Sequence, residues 1–231
     1  MPLIPSATVM IMNTGRRVPE FLLVLRSPKV SFQGNVWVFP GGRVSKGDSV
    51  AESKEGALRR CAVRETQEES GIKLDPATLT RMARWETPEG MPKRFDTQFY
   101  LSRVVDRPTV QVDESEIISF QWVTADGALA IHQKGEIRLS PPAFVLLSWA
   151  VSLKTADNLV AFFRNAPPFH FKPRYFPLPD GACTLYQDDV AYETGDLTMS
   201  GKLHRLFMRN PGWQYIGGPF DHSSGTSSRF S

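Results

Sequence analysis

Short apolar runs alternate with polar, turn-rich links along the first half of the chain. "ATVMIMN" and "FLLVLRS" are rich in β-branched and large apolar residues, and "TGRRVPE" between them carries turn chemistry, so the pair predicts a hairpin. "VWVFPGG" predicts a further brief strand, halted by Pro40 and the two glycines, and a long polar loop, "RVSKGDSVAESKEG", follows. From about Ala57 to Ser70, residues Ala57, Leu58, Cys61 and Ala62 recur at helical spacing, and Gly71 stands where a helix C-terminus favours glycine.

Beyond that helix, "LTRMARWET" and "RFDTQFYLSRVV" predict two strands joined by the turn-rich "PEGMPK". In the second of them Phe95, Thr97, Phe99 and Leu101 alternate with Arg94, Asp96, Gln98 and Tyr100, the period of a strand with two different faces. "DESE" is an acidic loop. "IISFQWVT" predicts another strand, leading into a helix near Ala125 to Gln133. Ser140 as cap and Pro141 in the first turn then open an apolar helix over "AFVLLSWAVSL". The order is that of an α+β fold.

From about Asn165 the character changes, with five prolines in "NAPPFHFKPRYFPLPDG". The expected division is a domain over 1–164 and a Pro-rich extension over 165–231. "ACTLYQ" and "KLHRLFMRN" are strand candidates within the extension, and "DHSSGTSSRFS" has the composition of a disordered end.

A length of 231 residues accommodates a substantial core, and 41% hydrophobic with 22% charged residues is ordinary for a globular chain. No apolar run reaches the ~18 residues of a membrane span. The N-terminus lacks a basic region ahead of its apolar stretch, which predicts a strand rather than a signal peptide. Net charge is +3, without the clustered basic face that nucleic acid calls for. Cys61 and Cys183 are expected as reduced core thiols, and the four histidines have no ligand-like spacing.

The densest chemistry is in "CAVRETQEESGI". Glu68 and Glu69 stand three and four positions beyond Glu65, so at ~100° per residue all three carboxylates share one helix face. Like charges at that spacing repel, and the helix C-terminus aggravates the repulsion. Arg64 can pair with Glu68 but cannot neutralise three carboxylates. A hard divalent cation would, and a tight cluster of carboxylate oxygens suits Mg²⁺ or Mn²⁺.

"RETQEESGI", preceded by "GALRRCAV" and by "VFPGG", resembles the Nudix hydrolase box: G, five residues, E, seven residues, R-E-U-x-E-E-x-G-U, with U a large apolar residue. Counted back from Arg64, the first glutamate of the box falls at Gly56, with Glu55 and Glu52 nearby. The loop after Gly42 carries extra residues, and Thr66 stands at the apolar position. "LRSPKVSFQGNVWVFPGG", "WETPEGMPKRFDTQFYL" and "IRLSPP" further resemble the branch that includes a vertebrate peroxisomal coenzyme A diphosphohydrolase and its bacterial relatives.

This resemblance implies an α/β/α sandwich with a mixed central sheet. It implies metal-dependent hydrolysis of a nucleoside diphosphate linked to another moiety, such as coenzyme A or an acyl-CoA. ADP-ribose, a nucleotide sugar or a dinucleotide is the alternative substrate, and a non-catalytic nucleotide sensor the alternative role. Glu65, Glu68 and Glu69 would hold Mg²⁺ or Mn²⁺, Arg64 would orient a glutamate of the cluster, and the backbone at Gly41 and Gly42 would approach the site. Glu65, Glu114 or Glu116 would serve as general base. Arg26 and Arg94 are candidates for phosphate contact, and Phe32, Trp37, Phe39 and Phe99 for base stacking or core packing. The expected partner is a small nucleoside diphosphate derivative, with neither nucleic acid nor membrane; a homodimer is compatible with the family. Since "RFS" is no peroxisomal address, the cytoplasm is the expected compartment.

Overall fold

The computed structural model describes residues 2–30, 34–50, 53–210 and 212–219. Strand β1 (Ile4–Asn13) lies at the centre of a mixed eight-stranded sheet. One edge of β1 pairs in parallel with β6 (Phe95–Val104) along its whole length. The other edge is shared. Its first half pairs with β4 (Gly41–Arg43), while its end pairs with β2 (Glu20–Arg26). Beyond β2 lie β3 (Trp37–Val38) and β7 (Ile117–Thr124), and beyond β6 lie β5 (Thr80–Glu86) and β8 (Phe169–Phe171).

The period-2 pattern of β1 feeds two cores. Ala7, Val9 and Ile11 pack with Leu22, Val24 and the Leu58, Cys61 and Ala62 face of helix α1 (Lys54–Ser70). Met10 and Met12 face the other way. With Phe21 and Leu23 they meet α2 (Ala125–Gln133), α3 (Pro141–Leu153) and α4 (Ala156–Asn165). Helices on both faces of a mixed sheet make the α/β/α sandwich and the α+β class that the sequence predicts.

Most boundaries follow their local signals. Ser53 caps α1 by accepting from the Gly56 N–H at 3.0 Å, and Gly71 ends it at φ 73°, where a side chain would be strained. Ser140 caps α3 with Pro141 in the first turn. Three features differ from the sequence expectation. The glycine pair does not end the strand region, because the chain resumes at Gly41 as β4 and finds a free edge on β1. Helix α1 starts at Lys54, three residues earlier than its apolar pattern, since capping and not burial sets its start. Helix α4, absent from the sequence reading, is capped by Thr155 and anchored by Leu159 and Phe163.

The region after Asn165 supplies β8 to the main sheet and then a separate antiparallel sheet. Its order is β12 (Trp213–Ile216), β11 (Arg205–Arg209), β10 (Gly181–Leu185), β9 (Arg174–Leu178). Aromatic contacts join this sheet to the rest: Trp85 and Phe171 of the main sheet meet Tyr186, the residue after β10, edge-on at 5.4 and 5.2 Å, and Trp149 Nε1 of α3 donates to the Tyr215 hydroxyl of β12 at 3.1 Å. Residues 220–231, including the Ser-rich end, lie outside the described residues, as do Phe32 and Glu52. Among the described residues no single helix is long and apolar enough to cross a membrane.

Candidate active site

The last turns of α1 carry their carboxylates to the backbone of β4. The buried face of the helix runs from Leu58 through Cys61 and Ala62 to Thr66 and Glu69, so Glu69 is drawn in with the apolar residues and is only 5% exposed. Its carboxylate accepts a 2.8 Å hydrogen bond from the Gly41 N–H. Backbone packing requires glycine at Gly41, and at Gly42 a side chain would displace the Glu65 carboxylate. A Cβ at Gly41 would lie 2.4 Å from the Ala7 carbonyl oxygen, and one at Gly42 would lie 2.4 Å from the Glu65 carboxyl carbon.

Glu68 stands at the exposed edge of the cluster. Its side chain is 57% exposed and its carboxylate is held by Arg64 at 2.7 Å. The shared helix face straddles the protein surface, so Glu65 and Glu69 are drawn inward while Glu68 stands at the edge.

Arg64 contacts three carboxylates, those of Asp48, Glu65 and Glu68. It contacts Glu65 at 2.9 Å, and it grips Asp48 through two bonds, Nε to Oδ1 at 3.1 Å and Nη2 to Oδ2 at 2.9 Å. Asp48 is buried and also accepts from the Ser45 N–H and hydroxyl, both at 2.8 Å. Burial alone would raise its pKa, but these bonds outweigh burial and hold the carboxyl below its ordinary range.

Asp48 is the residue that sequence reading missed. Counting back from Arg64 crosses the loop insertion and lands on Gly56, which carries no side chain. Counting forward from Gly42 over five residues lands on Asp48, an acid at the position where the box has its first glutamate. Glu55, the alternative, is engaged elsewhere, with Arg59 at 2.8 Å and with the Tyr100 hydroxyl at 3.2 Å.

These groups open onto a cavity of about 950 Å³ bordered by Arg26, Gly41, Gly42, Arg43, Arg64, Glu65, Glu68, Glu69 and Glu116. Glu116 reaches it from the acidic loop, anchored where the Ser27 N–H donates to the Glu116 carbonyl at 2.7 Å. Arg26 sits at an irregularity in the β2–β7 pairing, a feature that re-aims side chains beside active sites. Glu114 and Arg94 are not among the residues bordering the cavity. Glu114 occupies a turn at φ 58°, and Arg94 donates to the Thr87 carbonyl at 3.2 Å. Trp37 is half-buried, whereas Phe39 and Phe99 belong to the core and border the cavity as well.

Burial and crowding perturb the carboxylates of this cavity. Burial pushes the Glu69 carboxyl up to about 8, against the hydrogen bond from Gly41 and the charge of Arg26, and Glu65 and Glu116 add to the rise. Burial likewise raises Glu65, opposed by Arg64 and reinforced by Glu68 and Glu116. Carboxylates forced together in a partly dry cavity form a hard-oxygen donor set whose missing counter-charge a divalent cation would supply. With Glu68 on Arg64, no three His, Cys, Asp or Glu side chains among the described residues stand at ligand spacing. The donor set fits by its chemistry rather than by a preformed cage.

A stability signature follows. Glu69 is raised when folded, so its contribution is full below its ordinary value of 4.5 and is lost as pH rises through about 8. In a chelator-containing buffer, Tm falls between pH 5 and pH 8, and Glu69→Gln flattens that fall. An equally steep fall in the variant would refute the assignment.

Comparison with known proteins bears on the same residues. The family model for the NUDIX domain matches residues 2–141. The acyl-coenzyme A diphosphatase of Xenopus laevis is 26% identical, with 78% of this chain and 73% of that protein aligned. The m7GpppN-mRNA hydrolase of the same organism is 27% identical, with 71% and 57% aligned, so this chain spans little more than half of its length. Among solved structures, the NUDIX hydrolase from Alicyclobacillus acidocaldarius shares the fold at a TM-score of 0.61 and 23% identity, covering 72% of this chain and 99% of its own.

Proposed function

Because the chain belongs to the NUDIX domain family and is a hydrolase of that family, we propose that it cleaves the diphosphate bond of coenzyme A or an acyl-CoA. The observation that carries this reading is the set of Glu65, Glu69 and Glu116 around one cavity, with Glu69 pushed up to about 8 by burial and by its neighbours' charge. The cavity is at the upper end of the ~300–1,000 Å³ usual for small-molecule sites, which suits a long substrate. Choice of coenzyme A over other diphosphates is supported by the acyl-coenzyme A diphosphatase relative.

Glu65 and Glu69, with Glu68 at the edge of the cavity, would hold Mg²⁺ or Mn²⁺. When bound, the ion neutralises diphosphate oxygens and lowers the pKa of a coordinated water. The chain's own groups do the rest. Arg64, anchored by Asp48, fixes the Glu65 carboxylate, and the Gly41 N–H fixes that of Glu69. Glu65 and Glu69 being so engaged, Glu116 is the proposed base that removes a proton from the attacking water. Arg26 and Arg43, bordering the cavity, offer positive charge to the phosphates. The cytoplasm is part of this reading, supported by two cysteines that are buried and unpaired.

The test is to present coenzyme A, an acyl-CoA, ADP-ribose, a nucleotide sugar and a dinucleotide with Mg²⁺ or Mn²⁺, and to separate the phosphomonoester products. Cleavage of the coenzyme A compounds with the highest kcat/KM is expected. Cleavage of ADP-ribose alone would overturn the coenzyme A assignment.

A further inference from the structure

The acidic loop that brings Glu116 to the cavity is built at a conformational cost. Glu114 sits at φ 58°, in the left-handed region that residues other than glycine enter uncommonly. Four residues on, the strand itself is irregular: Leu25 pairs with Ser119 and Arg26 with Ile117, so Ile118 of β7 faces no partner on β2 and is left 43% exposed. A left-handed glutamate and an unpaired strand residue this close together persist only where other bonds hold them in place.

Those bonds converge on Asp113. Its Oδ2 accepts from the Glu116 N–H at 3.0 Å and its Oδ1 from the Ile117 N–H at 2.8 Å, and the Ser115 hydroxyl donates to the same carboxylate. Burial works to raise the Asp113 pKa, but these donors prevail and keep it below its ordinary range. The far side of the turn is fixed too. Ile117 is fully buried, and the Ser27 N–H holds the Glu116 carbonyl at 2.7 Å, so the Glu116 backbone is bonded on both sides of its Cα. Asp113, Ser115 and Glu116 all border the cavity, and the charge of Glu116 is felt by both Glu65 and Glu69.

A proton acceptor carried by an exposed loop is effective only while it stays in place, since a displacement of about 1 Å can cost about 10²-fold in rate. A turn clipped at several points removes that freedom. We propose that Asp113 is a positioning residue for the hydrolysis: its carboxylate clips the turn from Glu114 to Ile117 and so fixes the Glu116 carboxylate where it meets the attacking water. This rests on the diphosphatase reading above, with Glu116 as its base, and it adds a residue that acts through Glu116.

Asp113→Ala removes every acceptor of the clip, and Asp113→Asn keeps one acceptor oxygen. Both are compared with Glu116→Gln and with the double variant Asp113→Ala/Glu116→Gln, in the full chain with coenzyme A and Mg²⁺. Glu116→Gln is expected to lower kcat by about 10²-fold or more, the scale of general-base catalysis. Asp113→Ala is expected to lower kcat by about 30-fold with KM within about twofold, and Asp113→Asn by about fivefold. Added to Glu116→Gln, Asp113→Ala is expected to cost less than about threefold more, because nothing remains for it to position. A merely structural role would reduce kcat by the same factor in both backgrounds. Where Asp113→Ala does not fold, Asp113→Asn carries the same comparison. Parental kcat in the Asp113 variants, a loss carried by KM, or an undiminished loss on top of Glu116→Gln would overturn the proposal. Parental kcat in Glu116→Gln would overturn the base assignment and the proposal with it, and leave the diphosphatase reading standing. A parent chain that turns over none of the diphosphates named above would overturn that reading as well.

Discussion

Glu69→Gln lowers kcat by about 10³-fold or more in saturating Mg²⁺, with the fold intact. The substitution is close to isosteric, and the amide oxygen still accepts from the Gly41 N–H that now meets the carboxylate at 2.8 Å. What disappears is a negative charge in a site only 5% exposed, where no solvent is at hand to replace it. The loss therefore falls on metal affinity and on turnover, not on packing. Relieving the raised carboxyl also makes the metal-free variant more stable than the parent at pH 8. Turnover within tenfold of the parent, at any Mg²⁺ concentration, would remove Glu69 from the site.

The second large effect lies far from the chemistry, in the C-terminal sheet. Asp189 and Arg205 form a bidentate pair at 2.8 and 2.7 Å, with side chains 0% and 3% exposed. The Asp189 carboxylate also accepts from the His204 and Ala191 N–H groups. Burial pushes its pKa up, but these bonds prevail and hold it below its ordinary range. Asp189→Ala strands the guanidinium in the interior and is expected to destabilise the fold by about 3–5 kcal/mol, read from urea unfolding. The same variant should lose affinity for coenzyme A, because β10 and β11 carry Thr184 and Met208 to the cavity. A stability loss below about 1 kcal/mol would mean that the pair is not the clamp of this sheet.

The first two-thirds of the chain were legible because their signals are local. Alternation in "RFDTQFYLSRVV" marks β6, and the caps at Ser140 and Gly71 mark helix ends. Three glutamates in five residues marked the site, but spacing on a helix does not say where the protein surface cuts it. Glu68 therefore stays exposed at the cavity's edge, paired with Arg64, while Glu65 and Glu69 are drawn inward. Asp48 was hidden by an insertion: its partnership with Arg64 spans 16 positions and shows in sequence only when the count starts from Gly42. The C-terminal sheet was the least legible part. Strands β9 to β12 pair with one another, and their placement beside Trp85 rests on aromatic contacts between residues about 100 positions apart, which no local pattern encodes.

Metal-dependent hydrolysis of a diphosphate in the carboxylate cavity is read by incubating the full chain with coenzyme A and Mg²⁺ in ¹⁸O-labelled water and weighing the products. Two phosphomonoesters are expected, adenosine 3′,5′-bisphosphate and phosphopantetheine, one of them carrying a single ¹⁸O atom, and none when the metal is chelated. Tight binding of coenzyme A with no labelled phosphomonoester in either Mg²⁺ or Mn²⁺ would contradict hydrolysis and would make the cavity a nucleotide sensor.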